Sequence, residues 1–228
     1  MKIAIDKNVF NSHPKLRLVF ILAEDINNKV NLKQTQHLLN ESVKLTKLIF
    51  HKDTIKNHDL IQPWEVAKED FGKKAKHYHT SVEKLIQNVL KGKKVTSNDT
   101  ISNIMSYLSL RHIVPFGADD IHKIHNNITF KIASGKERKG ILKTLKQGEI
   151  YYQDDSQILG TKFDFWKSSK SSLTPHTAHA LIHFEFLPPI TKEKEQQILA
   201  EAKMLIKSSC GGSVKSFVLS KAKKEIEI

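Results

Sequence analysis

The 228-residue sequence predicts an α+β domain: helices in the first half and middle, packed on a mixed or antiparallel β-sheet sandwich formed largely by residues 128–220. Two observations carry this. Between residues 31 and 112 apolar side chains recur at helical spacing. From residue 128 onward they fall instead in short branched or aromatic runs, punctuated by Gly, Asp and Ser. A third, the lack of internal repeats and long linker-like stretches, places residues 1–228 in a single compact domain.

The elements follow in order. Residues 2–6 and 16–23 (LRLVFILA) are short, branched and apolar, and read as strands separated by Pro14. Leu38, Leu39, Val43, Leu45 and Ile49 give residues 31–50 a helical stripe, and the polar stretch 51–62 reads as a connection. In PWEVAKEDFG, Pro63 occupies a helix-start position and Gly72 a stop. Thr80 or Ser81 caps the next helix, whose stripe is Val82, Leu85, Ile86, Val89 and Leu90, and Gly92 ends it. SNDTISNIMSYLSLRHIVP supplies another cap and helix. Then come the strand-like runs ITFKIA, GEIYYQ, QILGTKFDFW, HALIHFEFL and VKSFVLS. Between the last two lies an amphipathic helix marked by Ile198, Leu199, Ala202, Leu205 and Ile206.

Composition narrows the function classes. Thirty-seven Lys and Arg against 24 Asp and Glu leave a net charge of +13, a balance that favours polyanionic partners through counterion release. Much of it is lysine, as in GKKAKHYH, KGKK and KAKK, which meets phosphate as a point charge. No apolar run is long enough to span a membrane, and the N-terminus lacks the apolar core of a secretion signal. Cys210 is the single cysteine and has no disulfide partner. A soluble cytoplasmic protein is the expectation.

Familiar catalytic signatures are missing: no P-loop, no G-x-S-x-G elbow, no G-x-G-x-x-G fingerprint. His176, His179 and His183 have i, i+3, i+7 spacing, which on a helix would suit zinc. Their context is a turn running into a strand, where His183 and Glu185 share one face and Ile182, Phe184 and Phe186 the other. The pairs His122/His125 and His77/His79 have no further ligand beside them, so no metal is assigned.

One stretch stands apart. SLRHIVPFGADDIHKI, residues 109–124, joins a Pro-Phe-Gly-Ala turn to adjacent carboxylates and two histidines. It resembles the Ser-Leu-Arg-x-x-x-Pro-x-Gly-Ala-x-Asp-Leu segment of freestanding relatives of the editing domain of the phenylalanyl-tRNA synthetase beta subunit. Ser81, Glu83 and Leu85 upstream, GEIYYQDDSQIL downstream, and LTPHTAHALIHFEFLPPI beyond it match those proteins in order and spacing, so the likeness covers about residues 61–220. The resemblance implies hydrolysis, in trans, of the ester joining a wrong amino acid to the aminoacylated 3′ end of tRNA, without a cofactor. Its rivals are a non-catalytic binding module and a hydrolase of small amino-acid derivatives.

The resemblance also assigns residues. The synthetase loop commonly has histidine at the position of Gly117, where freestanding relatives often have glycine. The pocket asparagine falls at Ser106, and the glutamate that recognises a tyrosine hydroxyl falls at His183. The Arg-Arg-Trp-Asn strand of the relatives appears as TKFD, Thr161 to Asp164. Catalytic positions are therefore expected at Ser106, Gly117 and His183, with Phe116, Ala118, Asp119, Asp120 and Glu185 binding substrate and Lys162, Lys167 and Lys170 contacting RNA. Phe116–Gly117–Ala118 would offer backbone N–H groups, and Asp119 or Asp120 would hold the substrate ammonium. Read from the residues alone, Asp120 is also a helix cap ahead of IHKIH, His183 a satisfied sheet histidine, and the three lysines solvated side chains.

Overall fold

The computed structural model describes residues 1–64, 80–138 and 144–228. The helix expected over PWEVAKEDFG and the His77/His79 pair lie almost wholly outside them. The described chain forms three layers, an α+β arrangement. The middle layer is an antiparallel sheet in the order β3 (Phe116–Asp120), β8 (Ala180–Phe186), β2 (Arg17–Glu24), β9 (Ser213–Leu219). On one face lies a six-stranded sheet in the order β10 (Glu225–Glu227), β1 (Lys2–Ile5), β4 (Ile128–Ile132), β5 (Ile150–Gln153), β6 (Ile158–Thr161), β7 (Trp166–Lys167). Its β1–β4 pair is parallel and its other pairs antiparallel.

Because β2 and β8 are covered on both faces, they are apolar almost throughout. Leu18, Phe20 and Leu181 face the six-stranded sheet, where they meet Phe130, Tyr152 and Leu159. Val19, Ile21, Ile182, Phe184 and Phe186 face the helical layer. That layer is built on α4 (Thr100–His112) and α5 (Lys192–Cys210). Asp99 caps α4 by accepting from the Ser102 N–H at 2.8 Å, and Thr191 caps α5 through the Lys194 N–H at 3.2 Å. Ile198, Ala202, Ile206 and Cys210, spaced every four residues, are the stripe that α5 buries.

Two helices complete this side. In α3 (Ser81–Leu90), Val82, Ile86 and Val89 are buried. Thr80 stands at its N-cap position without a side-chain cap bond, while the Ser81 hydroxyl accepts from the Phe116 N–H at 3.0 Å. In α2 (Leu32–Ile49) the inward face differs from the apolar stripe expected. Thr35, Leu39, Ser42 and Thr46 are buried, whereas Leu45 and Ile49 are exposed. Small polar residues can face inward here because their hydroxyls return to the helix's own carbonyls, as Thr46 does to Ser42 at 2.7 Å.

Three other elements were not read from sequence: the short helix α1 (Lys7–Ser12), the C-terminal strand β10, and the edge strand β3. β3 replaces the expected turn at Phe116–Gly117–Ala118. Its residues pair with β8 in the register Phe116↔Phe184, Gly117↔His183, Ala118↔Ile182. The run QILGTKFDFW is likewise broken, into β6 and β7, by Lys162, Phe163 and Asp164, all at φ between +51° and +58°.

Candidate active site

The middle sheet, the helices and the 164–173 segment enclose a hollow of about 380 Å³. Its walls are α3 (Ser81, Lys84, Leu85, Asn88), the start of α4 with Ser102 and Ser106, and β3 with Phe116, Gly117 and Ala118. Asp164, Lys167 and Leu173 close the remaining side. A larger cavity, about 710 Å³, lies among Pro14, Pro63, Pro188 and Pro189 and contains none of the expected site residues.

β3 is an edge strand, and pairing parity decides what it offers the hollow. Gly117 and Asp119 face β8 with their backbone groups, because the Glu185 and Ile121 amides bracket them in the same ladder. The outward amides belong to Phe116, Ala118 and Asp120. Phe116 donates to the Ser81 hydroxyl, and Asp120 donates to the Ser171 carbonyl at 2.8 Å. Between them, the Ala118 N–H has no partner among the described residues and opens on the hollow. Of the three N–H groups expected to serve a substrate, one is free. The Ser106 hydroxyl, on α4, likewise has no hydrogen-bond partner among the described residues.

Beneath Gly117 lies a buried polar network. His183, 1% exposed, places Nδ1 2.5 Å from Glu185 Oε1 and Nε2 3.3 Å from Asp164 Oδ2. The Tyr152 hydroxyl donates between Asp119 Oδ2 at 3.0 Å and Asp164 at 3.1–3.2 Å. Lys167 closes the network against Asp119 and the Tyr152 hydroxyl. The rings of Phe20, Phe130 and Tyr152 surround the imidazole at centroid distances of 5.0–5.9 Å. Burial disfavours an imidazolium here, but the Glu185 and Asp164 carboxylates outweigh it and hold His183 up at about 10. Burial also raises Glu185, and burial together with the two aspartates raises Tyr152 well above the ordinary phenol range.

Gly117 is required by space, not by backbone angle. Its φ lies outside the left-handed region, but a Cβ there would meet Asp164 and His183 side-chain atoms closer than 3.0 Å. Gly160 stands on the other side of the same carboxylate, where a Cβ would meet Asp164 and Tyr152. Asp164 is thus seated between two glycines, delivered by the left-handed Lys162–Phe163–Asp164 turn.

The other expected positions separate. Asp120 accepts from the His122 N–H at 3.2 Å and the Thr177 hydroxyl at 2.7 Å, so it caps a short 3₁₀ turn and fastens the Thr174–Thr177 bend. Asp119 and Glu185 are fully buried within the network. Lys162 pairs with Glu149 at 3.1 Å and Lys167 with Asp119, while Lys170 is exposed. Among the described residues no set of three His, Cys, Asp or Glu is placed to hold a metal ion. Tyr152, Asp164 and Lys84 are additions that sequence reasoning did not assign. For Asp164 one signal existed: it occupies the asparagine position of the relatives' Arg-Arg-Trp-Asn strand.

The comparisons bear on the whole arrangement. A search of curated proteins returns no match. Solved structures that match include an N-terminal fragment of the phenylalanyl-tRNA synthetase beta subunit from Pyrococcus horikoshii. It is 12% identical with a TM-score of 0.45, and the match covers 93% of this chain and 49% of that one, so the chain spans about half its length. The family model for the B3/4 domain matches residues 64–207, well over half of the chain, inside the stretch over which the sequence resembles the editing-domain relatives. With every expected site residue from Ser106 to Glu185 inside that span, the chain belongs to the B3/4 domain family.

Proposed function

We propose that the hollow receives the aminoacylated 3′ end of a tRNA and that the ester is hydrolysed there in trans. The observation that carries this reading is the single open rung of β3. The Ala118 N–H faces a hollow that Ser106 and Asp164 also line. A carbonyl oxygen placed on that rung accepts the Ala118 N–H, which stabilises the negative charge formed when water adds to the carbonyl carbon. The carbon–oxygen bond to the ribose then breaks. The proton lost by water ends on the ribose oxygen, leaving a free amino acid and a free tRNA terminus.

His183 does not serve as the base. An imidazolium held up at about 10 has no lone pair for a water proton at neutral pH, and the ring lies behind Gly117. An activated ester tolerates this, since positioning supplies a large part of the acceleration and the vicinal ribose hydroxyl can relay the proton. The same observation favours a second reading, a module that binds aminoacyl-tRNA without turning it over. For either reading, the net charge of +13 and exposed lysines such as Lys170 provide the attraction for phosphate.

Ala118→Pro tests the site. It deletes one outward amide, leaves the amides that pair with β8, and is tolerable on a sheet edge. Release of labelled amino acid from a panel of misacylated tRNAs is expected with the natural chain. The variant, at unchanged melting temperature, should be slower by about 10²–10³-fold, as for loss of an oxyanion donor. Retention of tRNA without release would move the reading to the binding module, and neither retention nor release would overturn both.

A further inference from the structure

We infer that Asp164 is the group that selects ligands carrying a free ammonium, so that the hollow takes α-amino acid derivatives and rejects their N-acylated forms. This deepens the proposed function and rests on it. Three observations converge on Asp164. First, its delivery is costly: three successive non-glycine residues hold left-handed backbone angles, a conformation that L side chains disfavour and that gathers at functional sites. Second, two glycines clear the space it fills, Gly117 on the middle sheet and Gly160 on the outer one. Third, it lines the hollow together with Ala118, and its carboxylate lies against Gly117, one residue before the open rung, although its side chain is only 5% exposed.

The charge count gives the sign of the ligand group. Asp119, Asp164 and Glu185 are three carboxylates, and His183 and Lys167 are the two cations among them. Lys167 is committed to Asp119 and the Tyr152 hydroxyl, and the His183 imidazole lies closer to Glu185 than to Asp164. Of the other charged groups lining the hollow, Lys84 donates to the Phe165 carbonyl at 2.7 Å, and Asp99 is occupied by Ser97 and the α4 cap. Within the network Asp164 is therefore the carboxylate without a cation of its own: it accepts from the Tyr152 hydroxyl and shares the His183 imidazolium with Glu185. An ammonium next to a carbonyl seated on Ala118 supplies the missing cation, whereas an N-acyl group brings no charge and adds bulk there.

The experiment uses the full chain and non-hydrolysable amide analogues of the tRNA terminus: 3′-seryl- and 3′-phenylalanyl-amido-3′-deoxyadenosine, each with a free or an acetylated amino group. Titration calorimetry is expected to show at least one free-amine analogue binding about 10–100-fold more tightly than its acetylated form, the range of one charge-assisted hydrogen bond. In Asp164→Asn, which keeps the shape and can still accept from Tyr152, the two forms should bind within about 3-fold of each other. Equal binding of both forms by the natural chain would overturn the inference and leave the proposed function standing, and this arm needs no variant. Full discrimination by Asp164→Asn would do the same. Binding of neither form would overturn both.

Discussion

Replacing Gly117 by alanine isolates the packing on which the site depends. The added Cβ falls closer than 3.0 Å to Asp164 Oδ2 and to His183 Nε2 and Cε1. Neither neighbour is free to retreat. Asp164 is backed by Gly160 and Tyr152, and His183 is enclosed by Phe20, Phe130 and Tyr152. Overpacking a filled interior costs about 1–3 kcal/mol, and pushing a buried carboxylate or imidazole off its partner adds about 1–3 kcal/mol. The expected loss is therefore about 2–6 kcal/mol, a large share of the roughly 5–15 kcal/mol of a typical domain. Gly92→Ala is the control. That glycine has φ +69° and nothing within 4 Å of where a Cβ would stand, so its substitution should cost only the about 1–2 kcal/mol of a left-handed alanine. In urea titrations with a slope of about 2 kcal/mol per molar, the midpoints should move by about 1–3 M and about 0.5–1 M respectively. A Gly117→Ala shift no larger than that of Gly92→Ala would refute the close seating of Asp164 and His183.

Two further outcomes are expected. His183 rises from 6.5 in the unfolded chain to about 10 when folded, so between those values the native state holds the extra proton. Its stabilisation is fully present below about pH 6.5 and disappears as pH rises through 10. Urea midpoints taken from pH 6.5 to 10 should fall more steeply in the natural chain than in His183→Gln, and parallel profiles would contradict the assignment. Burial, with Asp99 adding to it, pushes the Cys210 thiol up to about 12, and its residue is 4% exposed. At about pH 8 a neutral thiol reagent should label Cys210 only as fast as the chain unfolds, so rapid labelling without denaturant would refute its burial.

What sequence could show and what it could not divide along physical lines. β2 and β8 were readable because a strand covered on both faces is a continuous apolar run, and the shared face of His183 and Glu185 followed from the two-residue period. The α5 stripe was readable for the same kind of reason. On α2, however, apolar periodicity pointed to Leu45 and Ile49, while the helix turns Thr35, Ser42 and Thr46 inward. Hydropathy carries no record of hydroxyls that satisfy themselves on their own helix. The Pro-Phe-Gly-Ala segment showed its glycine but not the reason for it. Turn chemistry suggested a special backbone angle, whereas the pairing of residue 117 with residue 183 makes the requirement one of volume. Long-range register of that kind, and the left-handed turn at Lys162–Asp164 built without glycine, leave no local signature.

The buried network explains why the site has a fixed shape without being a strong source of stability. Five ionisable side chains and a phenol lie where the apolar core between the sheets reaches the hollow, and ion pairs so placed recover little more than their desolvation cost. An apolar filling of the same volume would hold the two sheets together as well. What it would not do is fix one carboxylate orientation. Tyr152 spans Asp119 and Asp164, and Lys167 secures Asp119, so Asp119 on the middle sheet and Asp164 in the β6–β7 turn are set relative to each other by hydrogen bonds rather than by packing alone. Asp119 lies one residue beyond Ala118, so the same bonds fix the open rung of β3 relative to Asp164. On the proposed function, that orientation lets one ligand in the hollow meet both the Ala118 N–H and Asp164 at once.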